Sequence, residues 1–173
     1  MRYPVVAALA AWALLVPAPF VPGALAQSAA PPNLMANWSL AEMHAVLVEG
    51  GATIASEGVM PSGNLVLRAK SDTGMNFSVY GAQCDSADQA SKRCTGAEFQ
   101  ASFTLKPGLV TKALSEIDYA AIGYYSSNDD LIVSRYVIFD NGIARDNLKV
   151  NLRVFLNISA KVWQSLTTKG YMN

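Results

Sequence analysis

Apolar and polar positions alternate through the middle of the chain, which predicts a series of short strands. The alternating runs are residues 52–59, 64–69, 75–80 and 97–105, and turn-forming residues separate them. A further hairpin is predicted within residues 122–139, with its turn at 126–130. Its second arm is almost continuously apolar, which predicts a central strand buried on both faces.

Helical spacing appears in three places. Ser39 and Glu42 form a capping box, Trp38 and Met43 are placed as the accompanying hydrophobic staple, and Gly50-Gly51 ends this first helix. A short helix is predicted over residues 109–121. The last helix carries an apolar stripe at spacings of three and four residues: Leu148, Leu152, Phe155, Ser159, Val162 and Leu166. The predicted fold class is α+β, a twisted, mostly antiparallel sheet with helices packed on one face.

The first 26 residues have the pattern of a signal peptide. Arg2 precedes an apolar run over 5–16, and residues 24–26 give a small-x-small site, so cleavage is expected after Ala26. The apolar run is too short for a stable membrane span, although an uncleaved anchor is the alternative. We therefore expect a periplasmic or secreted protein without stable membrane insertion after cleavage. A flexible lead-in over 27–38 and a single domain over 39–173 are predicted to follow.

Export changes the interpretation of the two cysteines, Cys84 and Cys94. In an oxidising compartment, two cysteines within one short segment are expected to form a disulfide. A redox-active pair and a metal site are the alternatives. The C-x9-C spacing differs from the C-x-x-C redox motif, and no second Cys/His pair completes a zinc site. The prediction is a structural disulfide that ties two neighbouring strands.

Charge and reactive side chains argue against several function classes. The chain has 13 basic and 13 acidic residues without a Lys/Arg cluster, so no nucleic-acid partner is expected. His44, the only histidine, is interpreted as a half-buried helix residue. Ser91-Lys92 is interpreted as part of a solvated loop. Two aspartate pairs occur where turns favour Asp and do not match a calcium loop: Asp85 with Asp88, and Asp129 with Asp130. We expect no enzyme activity, cofactor or metal.

The domain resembles the YbjN family, in particular its exported, cysteine-containing members. The resemblance runs from about residue 39 to 166 and is carried by the opening helix with Gly50-Gly51, the blocks 77–84 and 94–103, the pair Ile117-Asp118, and the block 137–148. Many members have paired Asn residues around a Trp where this chain has Asp118, Tyr119 and Ala121. The resemblance implies a fold similar to type III secretion chaperones, association as a dimer, and a role described as sensory transduction regulation.

The expected function is binding. The first hypothesis is an exported, non-enzymatic regulatory protein that engages a protein partner of unknown identity through a chaperone-like domain. The alternative is a small-molecule-binding module with an aromatic-lined pocket between sheet and helices. The aromatic residues that could form a binding surface are Tyr119, Tyr124, Tyr125, Tyr136 and Trp163.

Overall fold

The computed structural model describes residues 34–117, 123–127 and 129–173, and for 123–127 it describes the backbone alone. The predicted signal peptide and Tyr119 therefore lie outside the described residues. The elements, in chain order, are β1 (Leu34–Met35), α1 (Leu40–Glu49), β2 (Thr53–Val59), β3 (Leu65–Lys70), β4 (Asn76–Cys84), β5 (Cys94–Thr104), α2 (Val110–Glu116), β6 (Gly123–Ser127), β7 (Asp130–Ile138), β8 (Ile143–Ala144) and α3 (Arg145–Thr168).

Six strands form one antiparallel sheet in the order β2-β3-β4-β5-β7-β6. Each of β2 to β5 pairs with its neighbour in the chain, as short turns favour. The β6–β7 hairpin then adds to the free edge of β5. The α+β fold class and the antiparallel sheet are confirmed.

The helices pack on one face of this sheet. Buried residues alternate along β4 and β5, and Val79 and Phe99 face each other across the strand pair. The ring of Phe155 on α3 lies 5.8 Å from that of Phe99 and 6.0 Å from that of Phe77, measured between centroids. Aromatic pairs at this separation add to the stabilisation that burial alone provides. The core therefore lies between α3 and the central strands.

The predicted start and end of α1 are confirmed. The Ser39 hydroxyl accepts from the Glu42 N–H, and the Glu42 carboxylate accepts from the Ser39 N–H at 2.9 Å, which completes the capping box. Trp38 and Met43, the predicted staple residues, are both fully buried. Gly50 caps the helix and Gly51 follows at a φ of +87°, a conformation that favours glycine.

The predicted stripe of α3 is confirmed residue by residue, because its six members are the buried residues of this helix. Ser159 is the polar member. Its hydroxyl is fully buried and has no hydrogen-bond partner among the described residues.

The predicted disulfide between Cys84 and Cys94 is present. The two residues face each other at the end of the β4–β5 pair, with their Cα atoms 3.9 Å apart. Backbone hydrogen bonds of 3.0 Å in both directions link Cys94 to Trp38. The disulfide thus lies where the chain entering the domain meets the sheet.

Three predictions differ from the structure. The expectation that the second hairpin arm is buried on both faces is wrong: Ile138 of β7 is 60% exposed, because helices cover only one face of the sheet. The middle helix ends at Glu116, and the positions predicted to continue it from residue 118 lie outside the described residues. Within the predicted lead-in, Leu34–Met35 pairs with Ile143–Ala144, so ordered structure begins before Ser39.

Candidate functional site

A groove lies where the end of α1, the turn between β3 and β4, and the first half of α3 meet. Its volume is about 620 Å³. Volumes of 300–1,000 Å³ are typical of ligand sites. The described residues that line it are Glu49, Gly50, Asp72, Thr73, Asp146, Lys149, Val150, Leu152, Arg153, Leu156, Asn157 and Ala160.

Gly50 sets the distance between the two helices at the floor of this groove. A Cβ atom at Gly50 would lie 2.7 Å from Cδ2 of Leu152, well inside van der Waals contact. Only a residue without a side chain lets the end of α1 approach α3 so closely. The glycine that ends α1 therefore also shapes the groove.

Ion pairs close the groove at the N-terminus of α3. The Arg145 guanidinium donates to both carboxylate oxygens of Glu49, at 2.7 and 3.2 Å, and the Lys149 ammonium lies 2.7 Å from Asp146. The hydrogen bond from Arg145 holds the pKa of Glu49 below its ordinary value, and the hydrogen bond from Lys149 does the same for Asp146. All four side chains are therefore charged at neutral pH and neutralise one another.

Further along α3 the groove carries charges that are not neutralised in this way. Asp72 and Thr73 form one wall, at the β3–β4 turn, and Arg153 forms part of the other. Neither Asp72 nor Arg153 makes an ion pair with any residue that the structure describes. These two groups are available to a ligand.

The helix wall continues as an apolar line toward the C-terminus of α3. Leu156 and Ala160 line the groove, and Trp163 follows three residues after Ala160 on the same side of the helix. The Trp163 side chain is 51% exposed. An exposed tryptophan next to a groove is suited to contact a bound partner.

Of the other predicted aromatic residues, only Tyr136 has a side chain that the structure describes, and it does not join Trp163. Tyr136 of β7 is 49% exposed and lies on the face opposite the helices, because its neighbours Arg135 and Val137 point toward α3 and the core. Tyr124 and Tyr125 are described as backbone only, opposite Val133 and Ile132. The structure does not bring Tyr136 and Trp163 into one surface, and the described lining of the groove has no aromatic side chain.

His44 and the aspartates take structural positions. His44 Nδ1 lies 3.1 Å from the Glu57 carboxylate, and both side chains are about half exposed (46% and 42%). Asp130 accepts from the Thr104 hydroxyl at 2.7 Å across the β5–β7 pair. The first contact links α1 to β2, and the second links β5 to β7.

The loop between the cysteines is more ordered than its sequence indicates. The Ser91 hydroxyl donates to Asp88 at 2.7 Å, and this hydrogen bond lowers the pKa of Asp88. Asp85 accepts from the backbone N–H groups of Ala87 and Arg93. Lys92 is only 6% exposed and donates to the Asp85 carbonyl at 2.6 Å, so the expectation of a solvated lysine is wrong.

The groove was not anticipated from the sequence, because its three walls come from segments far apart in the chain. The partial signal is the second line of α3, in which Leu156, Ala160 and Trp163 recur beside the buried stripe. In the part of the chain that the structure describes, no cluster of three or more His, Cys, Asp or Glu side chains is placed to hold a metal. No helix within these residues is long and apolar enough to cross a membrane.

Comparison with known proteins finds no match: no family model, no curated protein and no solved structure is similar to this chain. The resemblance to the YbjN family therefore stays a prediction.

Proposed function

We propose that this chain is an exported, non-enzymatic binding protein that engages a segment of another polypeptide in the α3 groove. The observation that carries the proposal is the groove itself, with an apolar line along one helix and charges on both walls. A polypeptide segment offers both apolar side chains and charged groups, which this lining can match.

The length of the groove wall favours a polypeptide over a compact ligand. From Asp146 to Trp163 the helix rises about 25 Å, at 1.5 Å per residue. A bound helix or extended segment of a partner can follow such a wall over several turns. Trp163 at one end and Arg153 near the middle supply an apolar and a charged contact.

The proposal includes an oxidising compartment outside the cytoplasm. The Cys84–Cys94 disulfide fits a protein that functions in an oxidising environment. Cleavage after Ala26, a periplasmic or secreted location and association as a dimer complete the proposed state. Regulation by reversible partner binding is the role that the YbjN resemblance suggests.

A small molecule is the second candidate occupant. The groove volume of about 620 Å³ lies in the range of small-molecule sites, which is the observation that favours it. The aromatic-lined pocket that the sequence suggested would have to involve residues outside this groove. A small ligand of the groove itself would be polar and charged.

Site-specific photo-crosslinking in the producing cells tests the first candidate. A photoreactive amino acid at Ala160 should crosslink to a distinct polypeptide, whereas the same group at Gln89, an exposed residue of the loop between the cysteines, should not. Adding Arg153→Glu to the Ala160 probe should weaken the crosslink by reversing a charge in the groove. Equal crosslinking from both positions, or none from Ala160, would contradict the proposal.

A further inference from the structure

Three side chains form a row across the sheet face that the helices leave open. Tyr80 on β4 is directly opposite Glu98 on β5, and Glu98 is directly opposite Tyr136 on β7. Side chains of directly opposed residues lie about 5 Å apart at their Cβ atoms and point to the same face. The row therefore places one carboxylate between two tyrosines.

The ring of Tyr136 lies against the backbone of β5. A Cβ atom at Gly96 would lie 3.0 Å from Cζ of this ring, so the glycine leaves the space that the ring occupies. The side chain of Tyr136 nevertheless remains 49% exposed. The hydroxyl end of the Tyr136 side chain thus lies over β5, while about half of the residue is open to solvent.

Among the residues that the structure describes, the carboxylate of Glu98 has no partner of opposite charge. It makes neither an ion pair nor a hydrogen bond with any residue within the described ranges. Arg68 lies on the same face but is opposite Ser78, two residue pairs further along, and forms no ion pair with Glu98. A carboxylate directly opposite a half-exposed tyrosine has the chemistry of a cation site.

We propose that this row, Tyr80–Glu98–Tyr136, binds an arginine side chain of a polypeptide partner. A guanidinium is planar, stacks on an aromatic face and bonds a carboxylate with two parallel N–H groups. Tyr136 and Glu98 are directly opposed, so one arginine side chain can reach both. A lysine or quaternary ammonium is instead bound best inside rings that face one another, whereas residues of one sheet face stand side by side.

Ile138 completes the site. It follows Tyr136 by two residues, lies directly opposite Gly96 and is 60% exposed, so it offers an apolar surface beside the ring. The aliphatic part of an arginine side chain packs on such a surface while its guanidinium keeps its contacts with polar groups. The site is independent of the α3 groove, because it lies on the opposite face of the sheet.

The direct test is an NMR titration of the folded, oxidised protein with three short peptides. Each has the sequence acetyl-Gly-X-Gly-amide, in which X is arginine, citrulline or lysine. Citrulline keeps the shape of arginine and removes its charge. We expect the arginine peptide to shift the amide signals of Tyr80, Glu98 and Tyr136, and to bind about tenfold more tightly than the citrulline peptide.

Variants identify the contacts. Glu98→Gln and Tyr136→Leu should each weaken arginine-peptide binding by about tenfold. Gly96→Ala should weaken it as well, because the added methyl group displaces the Tyr136 ring while Glu98 is kept. Val48→Ala, which shortens an exposed apolar side chain on α1, is the control and should leave binding unchanged.

Several results would overturn the assignment. They are equal binding of the arginine and citrulline peptides, tighter binding of the lysine peptide, and unchanged binding in Glu98→Gln. Because Glu98→Gln alters one partly exposed side chain on the open face of the sheet and is expected to fold normally, the test does not depend on the glycine variant. If the arginine peptide does not bind here, crosslinking from Ala160 is still expected. If Ala160 does not crosslink, binding of the arginine peptide is still expected.

Discussion

Reduction of the Cys84–Cys94 disulfide is the perturbation whose cost follows most directly from the structure. The bond joins directly opposed residues of β4 and β5, and Cys94 is also paired with the backbone of Trp38. Both sulfur atoms pack over Gly81, where a Cβ atom would lie 2.5 and 2.6 Å from them. Reduction leaves the surrounding packing of the folded protein in place, but it increases the conformational freedom of the unfolded chain.

The expected magnitude comes from the closed loop. The cysteines are 10 residues apart. Opening a loop of about 10 residues costs roughly 2.7 kcal/mol of unfolding free energy at 25 °C in the chain-entropy description. For a domain of about 150 residues this corresponds to a fall in Tm of about 8–10 °C. The core does not depend on the disulfide, so the reduced protein should still fold.

Thermal unfolding with and without reductant, followed by circular dichroism, measures this change. The doubly substituted Cys84→Ala/Cys94→Ala protein is the control, and its Tm should not respond to reductant. Mass spectrometry after alkylation confirms that both thiols are free in the reduced sample. An unchanged Tm in a fully reduced wild-type sample would refute the reasoning.

Three further predictions concern stability. Ser159→Ala should raise the free energy of unfolding by about 1 kcal/mol, because it removes a buried hydroxyl that has no hydrogen-bond partner in the described part of the chain. Gly50→Ala should lower it by about 1–3 kcal/mol, because the new methyl group overlaps Leu152. The hydrogen bond from Arg145 lowers the pKa of Glu49. The stabilisation that this ion pair gives the folded protein is therefore complete above the pKa that Glu49 has in the unfolded chain, and it is lost as the pH falls through the pKa in the folded protein. Glu49→Gln should therefore reduce the loss of stability below about pH 4.

Denaturant titration measures the first two changes, and Tm as a function of pH measures the third. Ser165→Ala, at a partly exposed position of α3, is the control for Ser159→Ala and should not be stabilising. A lower stability of Ser159→Ala would show that the hydroxyl has a favourable partner. Tolerance of Gly50→Ala would show that Leu152 can move aside, and parallel pH curves for Glu49→Gln and wild type would contradict the ion-pair argument.

The sequence predicted those features that depend on neighbouring residues. The capping box needs only Ser39 and Glu42, and the buried stripe of α3 needs only its own spacing, so both were found. The disulfide followed from two cysteines in one short segment. Strand positions were found to within a few residues, although β4 and β5 extend to the cysteines themselves.

Features that depend on distant segments could not be predicted in this way. The groove needs Gly50, Asp72 and Arg153 to come together from three elements. The short β1–β8 sheet pairs Leu34 with Ala144, with almost the whole domain between them. Apolar residues of β7 suggested burial on both faces, because a hydrophobic run does not indicate which face the helices cover.

The occupancy of the α3 groove is the central claim, and native mass spectrometry of the unreduced protein, purified from the cells that produce it, tests it most directly. The comparison uses wild type, Ala160→Trp, which fills the groove, and Thr167→Trp, an exposed control on the same helix. We predict that a bound polypeptide accompanies wild type and Thr167→Trp and is lost from Ala160→Trp. A polypeptide retained equally by Ala160→Trp, or a small molecule in its place, would contradict the claim.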